Sequence, residues 1–96
     1  MIYKIKIIPK AKVEISEAFF YYESVKAGLG ERFIIHLESY FKRISKTPEQ
    51  FPQKRIPYRE ALIKKFPYLI IFEIRNTDII VYSVFNTWQH PQKKML

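Results

Sequence analysis

The spacing of apolar residues changes twice along the chain, and this pattern constrains the fold more than any other feature. Residues 2–8 alternate between apolar and polar side chains, which is typical of a β-strand, and Pro9 ends this run. From Ala11 onward, apolar residues recur every three or four positions, which predicts helix. The period of two returns after residue 57. The chain is therefore predicted to begin with a strand, continue with helix and end with further strands.

A glycine-containing turn divides the helical part into two helices. The apolar stripe of the first helix is Ile15, Ala18, Phe19, Tyr22 and Val25, and that of the second is Phe33, Leu37, Tyr40 and Ile44. Between them, Gly28 is predicted to adopt the left-handed conformation that commonly ends a helix. Because the connection is short, the two helices should pack as an antiparallel hairpin.

Three strands are predicted in the C-terminal half, at residues 58–65, 68–75 and 79–85. Prolines mark an extended connection over residues 47–57, and residues 76–78 form a three-residue hairpin turn. The runs 69–72 and 79–82 are apolar at consecutive positions, so both faces of these strands should be covered, at least in part, by the chain or by a partner. The predicted fold is α+β with the order β-α-α-β-β-β. A helical hairpin packs on a mostly antiparallel four-stranded sheet, and residues 1–96 form a single domain.

Composition excludes several kinds of protein. There is no cysteine, so a disulfide scaffold and a thiolate metal site are excluded. Two glycines are too few for a phosphate-binding glycine-rich loop, and the two histidines, His36 and His90, are too far apart for a metal motif. We therefore predict no metal and no cofactor. No apolar run approaches the roughly 20 residues needed to span a bilayer, so a cytoplasmic protein without membrane contact is expected.

The formal charge of +8 favours a polyanion or an acidic protein as partner. The alternative is an ordinary lysine-rich surface, because such a charge is common in small domains. Residues 51–96 contain eight basic and three acidic side chains. The predicted target-binding residues are Arg55, Arg59, Lys64, Lys65, Arg75, Lys93 and Lys94, with Trp88 as a candidate for base stacking. A lone tryptophan beside an apolar strand is more often a cover over the core, so for Trp88 base stacking is the less common of the two roles.

Four segments carry a resemblance to a known family. They are Tyr21-Tyr22-Glu23, the GLGERF run at 28–33, Ile44 with Pro48, and the REALIKKFPY run at 59–68. Together they resemble the successive signatures of the RelE/ParE superfamily, the toxins of bacterial type II toxin–antitoxin and plasmid-stabilisation modules. The resemblance covers residues 11–91 and includes the order of helices and strands.

This resemblance implies two activities. RelE-like members cleave messenger RNA on the ribosome, whereas ParE-like members inhibit DNA gyrase. Both are neutralised in a hetero-oligomer by a cognate antitoxin with an acidic, partly disordered segment, and a homodimer is the alternative state of the free toxin. The long first helix and the GLG turn are more similar to the ParE-like members, which we prefer. A degenerate, non-toxic binding protein is a further alternative.

The resemblance also points to individual residues. Arg59 matches the family arginine before the FPY strand and is the first candidate for a phosphate or oxyanion contact. An ion pair with Glu60, Glu73 or an antitoxin carboxylate is the alternative role. Where the family has HxxRxP, this chain has Asn86 and Gln89 in place of histidine and arginine. His90 is then the remaining candidate for proton transfer, although a histidine before a proline is more often an exposed turn residue, so whether the chain is an enzyme is left open.

Three further expectations concern surfaces. Lys64 and Lys65 should alternate between the two faces of a strand, so that at most one of them faces a groove. Phe20 and Tyr21 are not on the main apolar stripe of the first helix. Together with Arg59 they are predicted to contact the antitoxin, unless they belong to a broad buried face. His36 is expected to be a packing residue.

Overall fold

Four strands and two helices follow one another in the predicted order in the computed structural model, which describes residues 2–88. They are β1 (Lys4–Ile7), α1 (Pro9–Val25), α2 (Leu29–Lys46), β2 (Arg59–Ile63), β3 (Tyr68–Arg75) and β4 (Asp78–Asn86). The connection before β2 contains a short 3₁₀ helix (Pro48–Gln50), which the prediction of an extended segment did not include.

The four strands form one sheet in the order β1-β4-β3-β2. β1 runs parallel to β4, while the pairs β4–β3 and β3–β2 are antiparallel. The α+β class, the helical hairpin and the mostly antiparallel sheet are therefore confirmed. β1 and β2 are the two edge strands, and the shape of each edge is central to the candidate site below.

Two glycines shape the helical hairpin. Gly28 has a φ of 88°, the predicted left-handed conformation, and directly precedes α2. Gly30 lies so close to α1 that an added Cβ would approach the Phe19 carbonyl oxygen to 2.5 Å. The Gly30 amide also donates to Glu23 Oε1 at 2.9 Å. The GLG sequence thus permits both the turn and the close contact between the two helices.

The main core lies between the helical hairpin and one face of the sheet. Its largest fully buried side chains include Phe33, Ile44, Ile63, Ile70, Phe72 and Val84. A smaller cluster lies on the opposite face, which we call the outer face, and consists of Leu69, Ile71 and Phe85 with Tyr58 packed against them. The expectation that β3 is covered on both faces is confirmed, because Leu69, Ile70, Ile71 and Phe72 are all buried.

The β4 edge is closed by a side chain from α1. β1 pairs with β4 only as far as Val81, whereas β4 continues to Asn86. Beyond that point, Glu14 Oε1 accepts hydrogen bonds from the Val84 amide and the Ser83 hydroxyl, both at 2.9 Å. Lys10 forms a salt bridge to Glu14 at 3.4 Å. The sequence pattern placed Glu14 away from the apolar stripe, but its carboxylate replaces the missing neighbouring strand.

Several boundaries differ from the predictions for local reasons. α1 begins at Pro9 itself, because proline is well suited to a first helical position, where no amide hydrogen bond is needed. Asp78 pairs with Arg75, so the hairpin turn has two residues rather than three. Asn76, with a φ of 57°, supplies the left-handed residue of that turn.

β2 is shorter than predicted, which affects two candidate residues. The strand ends at Ile63, and residues 64–67 form a turn into β3. Lys64 and Lys65 therefore lie in the turn and are both exposed. The predicted alternation of these two lysines across a strand is wrong, because the run of alternating residues continues past the last pairing with β3.

Candidate functional site

Four of the predicted target-binding residues lie at the two ends of the sheet. Lys64, Lys65 and Trp88 lie at the end where Ile63, Tyr68 and Asn86 are neighbours. Arg75 lies at the opposite end of β3, beside the hairpin turn. At about 3.3 Å per residue, the eight residues of β3 place Arg75 about 20 Å from the end of the sheet that carries Lys64 and Lys65. The basic residues therefore cannot all contact one phosphate group.

Arg59 holds the connection before β2. Its Nη1 donates to the backbone carbonyl oxygens of Phe51 at 2.8 Å and Glu49 at 3.3 Å. The side chain is half-buried at the start of β2. In this arrangement the guanidinium positions residues 49–51, a contact that the sequence pattern did not predict. Its contact with an anion, and its role in catalysis or in antitoxin binding, stay predictions.

A groove of about 240 Å³ lies along the β2 edge. Its lining comes from the last turns of α2, from the connection before β2, from β2 with its following turn, and from the start of β3. The lining residues are Tyr40, Arg43, Phe51, Pro52, Lys54, Glu60, Leu62, Lys64 and Leu69. Three of these nine side chains are cationic, and of them only Lys64 belongs to the predicted set. We call this feature the β2-edge groove.

Arg43 is the functional candidate that sequence reasoning missed. Its guanidinium carbon lies 5.2 Å from the ring centre of Tyr40 and 5.4 Å from that of Phe51. Both distances are within the range of cation–π contacts, so the two rings hold the guanidinium in place. The three-residue spacing of Tyr40 and Arg43 on one helix was a signal in the sequence. The contribution of Phe51 depends on how the connection folds back.

The salt bridges found among residues 2–88 lie outside the β2-edge groove. Within residues 2–88, the salt bridges join Lys6 to Asp78, Lys10 to Glu14 and Arg75 to Glu73, so none includes Arg43, Lys54 or Lys64. Glu60 also lines the groove but is only 7% exposed. The rim of the β2-edge groove is therefore positively charged.

The outward side of α1 carries a second apolar surface. Phe20 is 68% exposed, Tyr21 52% and Val13 56%. With Lys12, Ser16 and Glu17, they line a shallow depression. Of the two alternatives for Phe20 and Tyr21, the structure therefore supports the exposed one, and their contact with an antitoxin stays a prediction.

Trp88 and His36 have different environments. Trp88 is 82% exposed, so the prediction that it covers the core is wrong. His36 Nδ1 lies 2.9 Å from the Arg32 carbonyl oxygen, and the ring centre is 5.5 Å from that of Phe66. The expected packing role of His36 is confirmed.

Arg55 is exposed in the connection before β2, where its carbonyl oxygen accepts a hydrogen bond from the Tyr58 amide.

The outer face of the sheet carries a small polar and aromatic cluster. The Tyr82 hydroxyl donates to Glu73 Oε1 at 2.7 Å, and this hydrogen bond raises the pKa of Tyr82 above its ordinary value. Arg75 Nε lies 4.0 Å from the other oxygen of Glu73, and Tyr58 contacts Tyr82 edge-on. In the described part of the chain, His36 is the single histidine, and it packs on the helical side. No described imidazole therefore reaches this cluster.

Some predicted residues lie outside the described range of 2–88, namely His90, Lys93 and Lys94, together with Gln89. Within that range, no group of three or more histidine or acidic side chains is arranged to hold a metal ion. Neither of the described helices is long and apolar enough to cross a membrane.

Comparison with known proteins supports the fold without identifying the family. No protein-family model matches the chain, and no curated protein is similar to it in sequence. Among solved structures, the chain is similar to one described as "Chromosomal ParDE TA system from P. aeruginosa". The TM-score is 0.77 at 12% sequence identity, and the match covers 88% of this chain and 96% of the other. The two chains therefore share a fold over nearly their whole lengths.

Proposed function

We propose that the chain is the ParE-like toxin of a type II toxin–antitoxin system. In this proposal it arrests growth in the cytoplasm by inhibiting a macromolecular target such as DNA gyrase. A cognate acidic antitoxin neutralises it in a hetero-oligomer. The observation that carries the proposal is the shared fold with a chain of a ParDE system over 88% of this chain. The GLGERF and FPY segments resemble the same family independently of the fold.

The arrangement of side chains supports target inhibition over RNA cleavage. Cleavage by the RNA's own 2′-hydroxyl needs a proton acceptor and a proton donor beside cations. Asn86 stands where the family has its histidine, and its side chain accepts from the Trp88 amide at 2.8 Å. Arg59 donates to two backbone carbonyl oxygens of its own chain. RelE-like cleavage of messenger RNA therefore remains the alternative function.

Controlled expression of the chain tests this proposal. We expect growth arrest with induction of the DNA-damage response, rescue by the short acidic protein encoded beside it, and inhibition of gyrase supercoiling by the purified chain. Ribosome-dependent transcript cleavage that disappears in Arg59→Ala would contradict the ParE-like assignment and establish the RelE-like one. Normal growth at high expression, with the chain shown to be folded, would favour a degenerate binding protein.

A further inference from the structure

β2 has an outward side on which no strand among residues 2–88 pairs. The outward amides occur at every second residue. That of Glu60 donates to the Pro52 carbonyl oxygen at 3.1 Å, and that of Lys64 donates to the Tyr40 hydroxyl at 3.3 Å. Leu62 lies midway between these two, so its amide and carbonyl also face outward. Both ends of this edge are therefore covered, and no strand among residues 2–88 pairs with its centre.

The side chain of Leu62 is also open to solvent. It is 60% exposed although it is a large aliphatic residue in the middle of a strand. Its cross-strand partner Leu69 is only 7% exposed and lines the same groove. An extended peptide beside β2 would bury Leu62 and pair with its free backbone groups. Such pairing is the usual way in which an edge strand binds a peptide.

The charges around this edge define the partner further. Arg43, Lys54 and Lys64 come from three separate parts of the chain and line one groove. Lysines alone would be an ordinary protection of an edge strand against aggregation. Arg43 differs, because its guanidinium lies against the rings of Tyr40 and Phe51 beside the groove, and a guanidinium can bind a carboxylate with two hydrogen bonds.

We propose that an extended acidic segment of a partner protein docks along β2. Its backbone pairs with Leu62, and its carboxylates contact Arg43, Lys54 and Lys64. The inference rests on the proposed function only in assigning that segment to an antitoxin. An RNA strand fits less well, because it has no peptide backbone that could pair with both the amide and the carbonyl of Leu62.

Fluorescence anisotropy with defined probes tests the charges. The probes are a labelled peptide of alternating Glu and Val, its counterpart of alternating Lys and Val, and a single-stranded RNA of equal length. We expect the acidic peptide to bind most tightly. Arg43→Gln and Lys64→Gln should each weaken binding by about tenfold, the range of one lost charged hydrogen bond. Lys42→Gln is the matched control, because Lys42 is exposed on the same helix and lies outside the groove, and it should change binding less than about twofold.

The backbone contact has its own pair of variants. Leu62→Pro removes the outward amide, and proline is tolerated on the open side of an edge strand, so the fold should persist while peptide binding is lost. Leu62→Val keeps the amide and should bind within about threefold of the unmodified chain. If Leu62→Pro does not fold, amide chemical shifts of the unmodified chain decide instead. Peptide addition should shift the Leu62 amide resonance and leave that of Val84 in place.

Three results would overturn the docking proposal: tighter binding of RNA than of the acidic peptide, equal losses in Lys42→Gln and Arg43→Gln, or an unmoved Leu62 resonance. These outcomes are separable from the proposed function. If the chain arrests growth and is rescued by its antitoxin while the groove variants bind that antitoxin normally, the docking proposal fails and the toxin assignment stands. If the peptide binds at the groove but no arrest occurs, the assignment fails instead.

Discussion

Two strands of the sheet have a stretch of backbone without a neighbouring strand among residues 2–88, and the two stretches differ in how their hydrogen bonds are satisfied. On the β4 side, Glu14 bonds the Val84 amide and the Ser83 hydroxyl. On the β2 side, Pro52 and Tyr40 cover the two ends, and Leu62 between them has no neighbouring strand within the described residues. The comparison shows that the part of β4 beyond β1 is completed within the chain. The centre of β2 has no such completion within residues 2–88, as the docking proposal requires.

The largest expected effect is on the edge that the chain completes itself. Glu14→Ala leaves the Val84 amide and the buried Ser83 hydroxyl without their acceptor, and each lost bond involves a charged partner. We expect a loss of about 3 kcal/mol in the free energy of unfolding, measured by urea titration. Glu17→Ala, on an exposed position of the same helix, should change it by less than about 0.5 kcal/mol. Equal effects of the two variants would mean that Glu14 does not close the edge.

High pH should destabilise the whole fold, because Tyr22 packs against the main core between the helices and the sheet. Burial raises the pKa of Tyr22 to about 12, from an ordinary value of 10.0. Its folded-state pKa is raised, so the stabilisation is fully present below pH 10 and is lost as the pH rises toward 12. By linkage the loss amounts to about 2 kcal/mol over this window. Urea titrations at several pH values check this, and Tyr22→Phe should flatten the dependence. If the free energy of unfolding falls equally with pH in Tyr22→Phe, groups other than Tyr22 cause the loss.

A smaller effect is expected where the chain supports the β2-edge groove. Arg59→Met keeps much of the side-chain volume but removes the hydrogen bonds to the Phe51 and Glu49 carbonyl oxygens. The free energy of unfolding should fall by about 1–2 kcal/mol in urea titration. Affinity for the acidic peptide should also fall, because Phe51 forms one wall of the groove. An unchanged peptide affinity would separate Arg59 from the groove.

The smallest effect on stability is expected at the centre of the open edge. Leu62→Thr replaces an exposed side chain by another residue suited to strands, so the free energy of unfolding should change by less than about 0.5 kcal/mol. Peptide affinity should nevertheless fall, since the threonine buries less apolar surface. A large loss of stability would show that Leu62 serves the fold rather than a partner.

The periodicity of apolar residues predicted the fold well for a physical reason. It records which residues face the core, and that was enough to identify two helices and four strands. It does not record where pairing stops, so Lys64 and Lys65 were assigned to a strand that ends at Ile63. A charged side chain that forms hydrogen bonds to the backbone of a distant element does not change the periodicity of apolar residues. Glu14 on α1 and Arg59 on β2 are both of this kind.

The candidate groove was less predictable than the fold. Arg43, Lys54 and Lys64 are separated by about ten residues each along the chain. They converge only because the connection before β2 returns toward the end of α2. The sequence showed an excess of positive charge in the C-terminal half, which is real, but not that the sheet divides it into two groups. The sequence left open whether Phe20 and Tyr21 are exposed or buried, because an aromatic residue outside the main apolar stripe occurs in both environments.

The most direct test of the contrast between the two edges is amide hydrogen exchange at Leu62 and Val84, followed by NMR with and without saturating acidic peptide. In the free chain, the Leu62 amide should exchange at least about 100-fold faster than that of Val84, and the peptide should slow Leu62 alone. Protection of Leu62 in the free chain, or exchange that the peptide leaves unchanged, would contradict the view that the β2 edge is kept open for a partner.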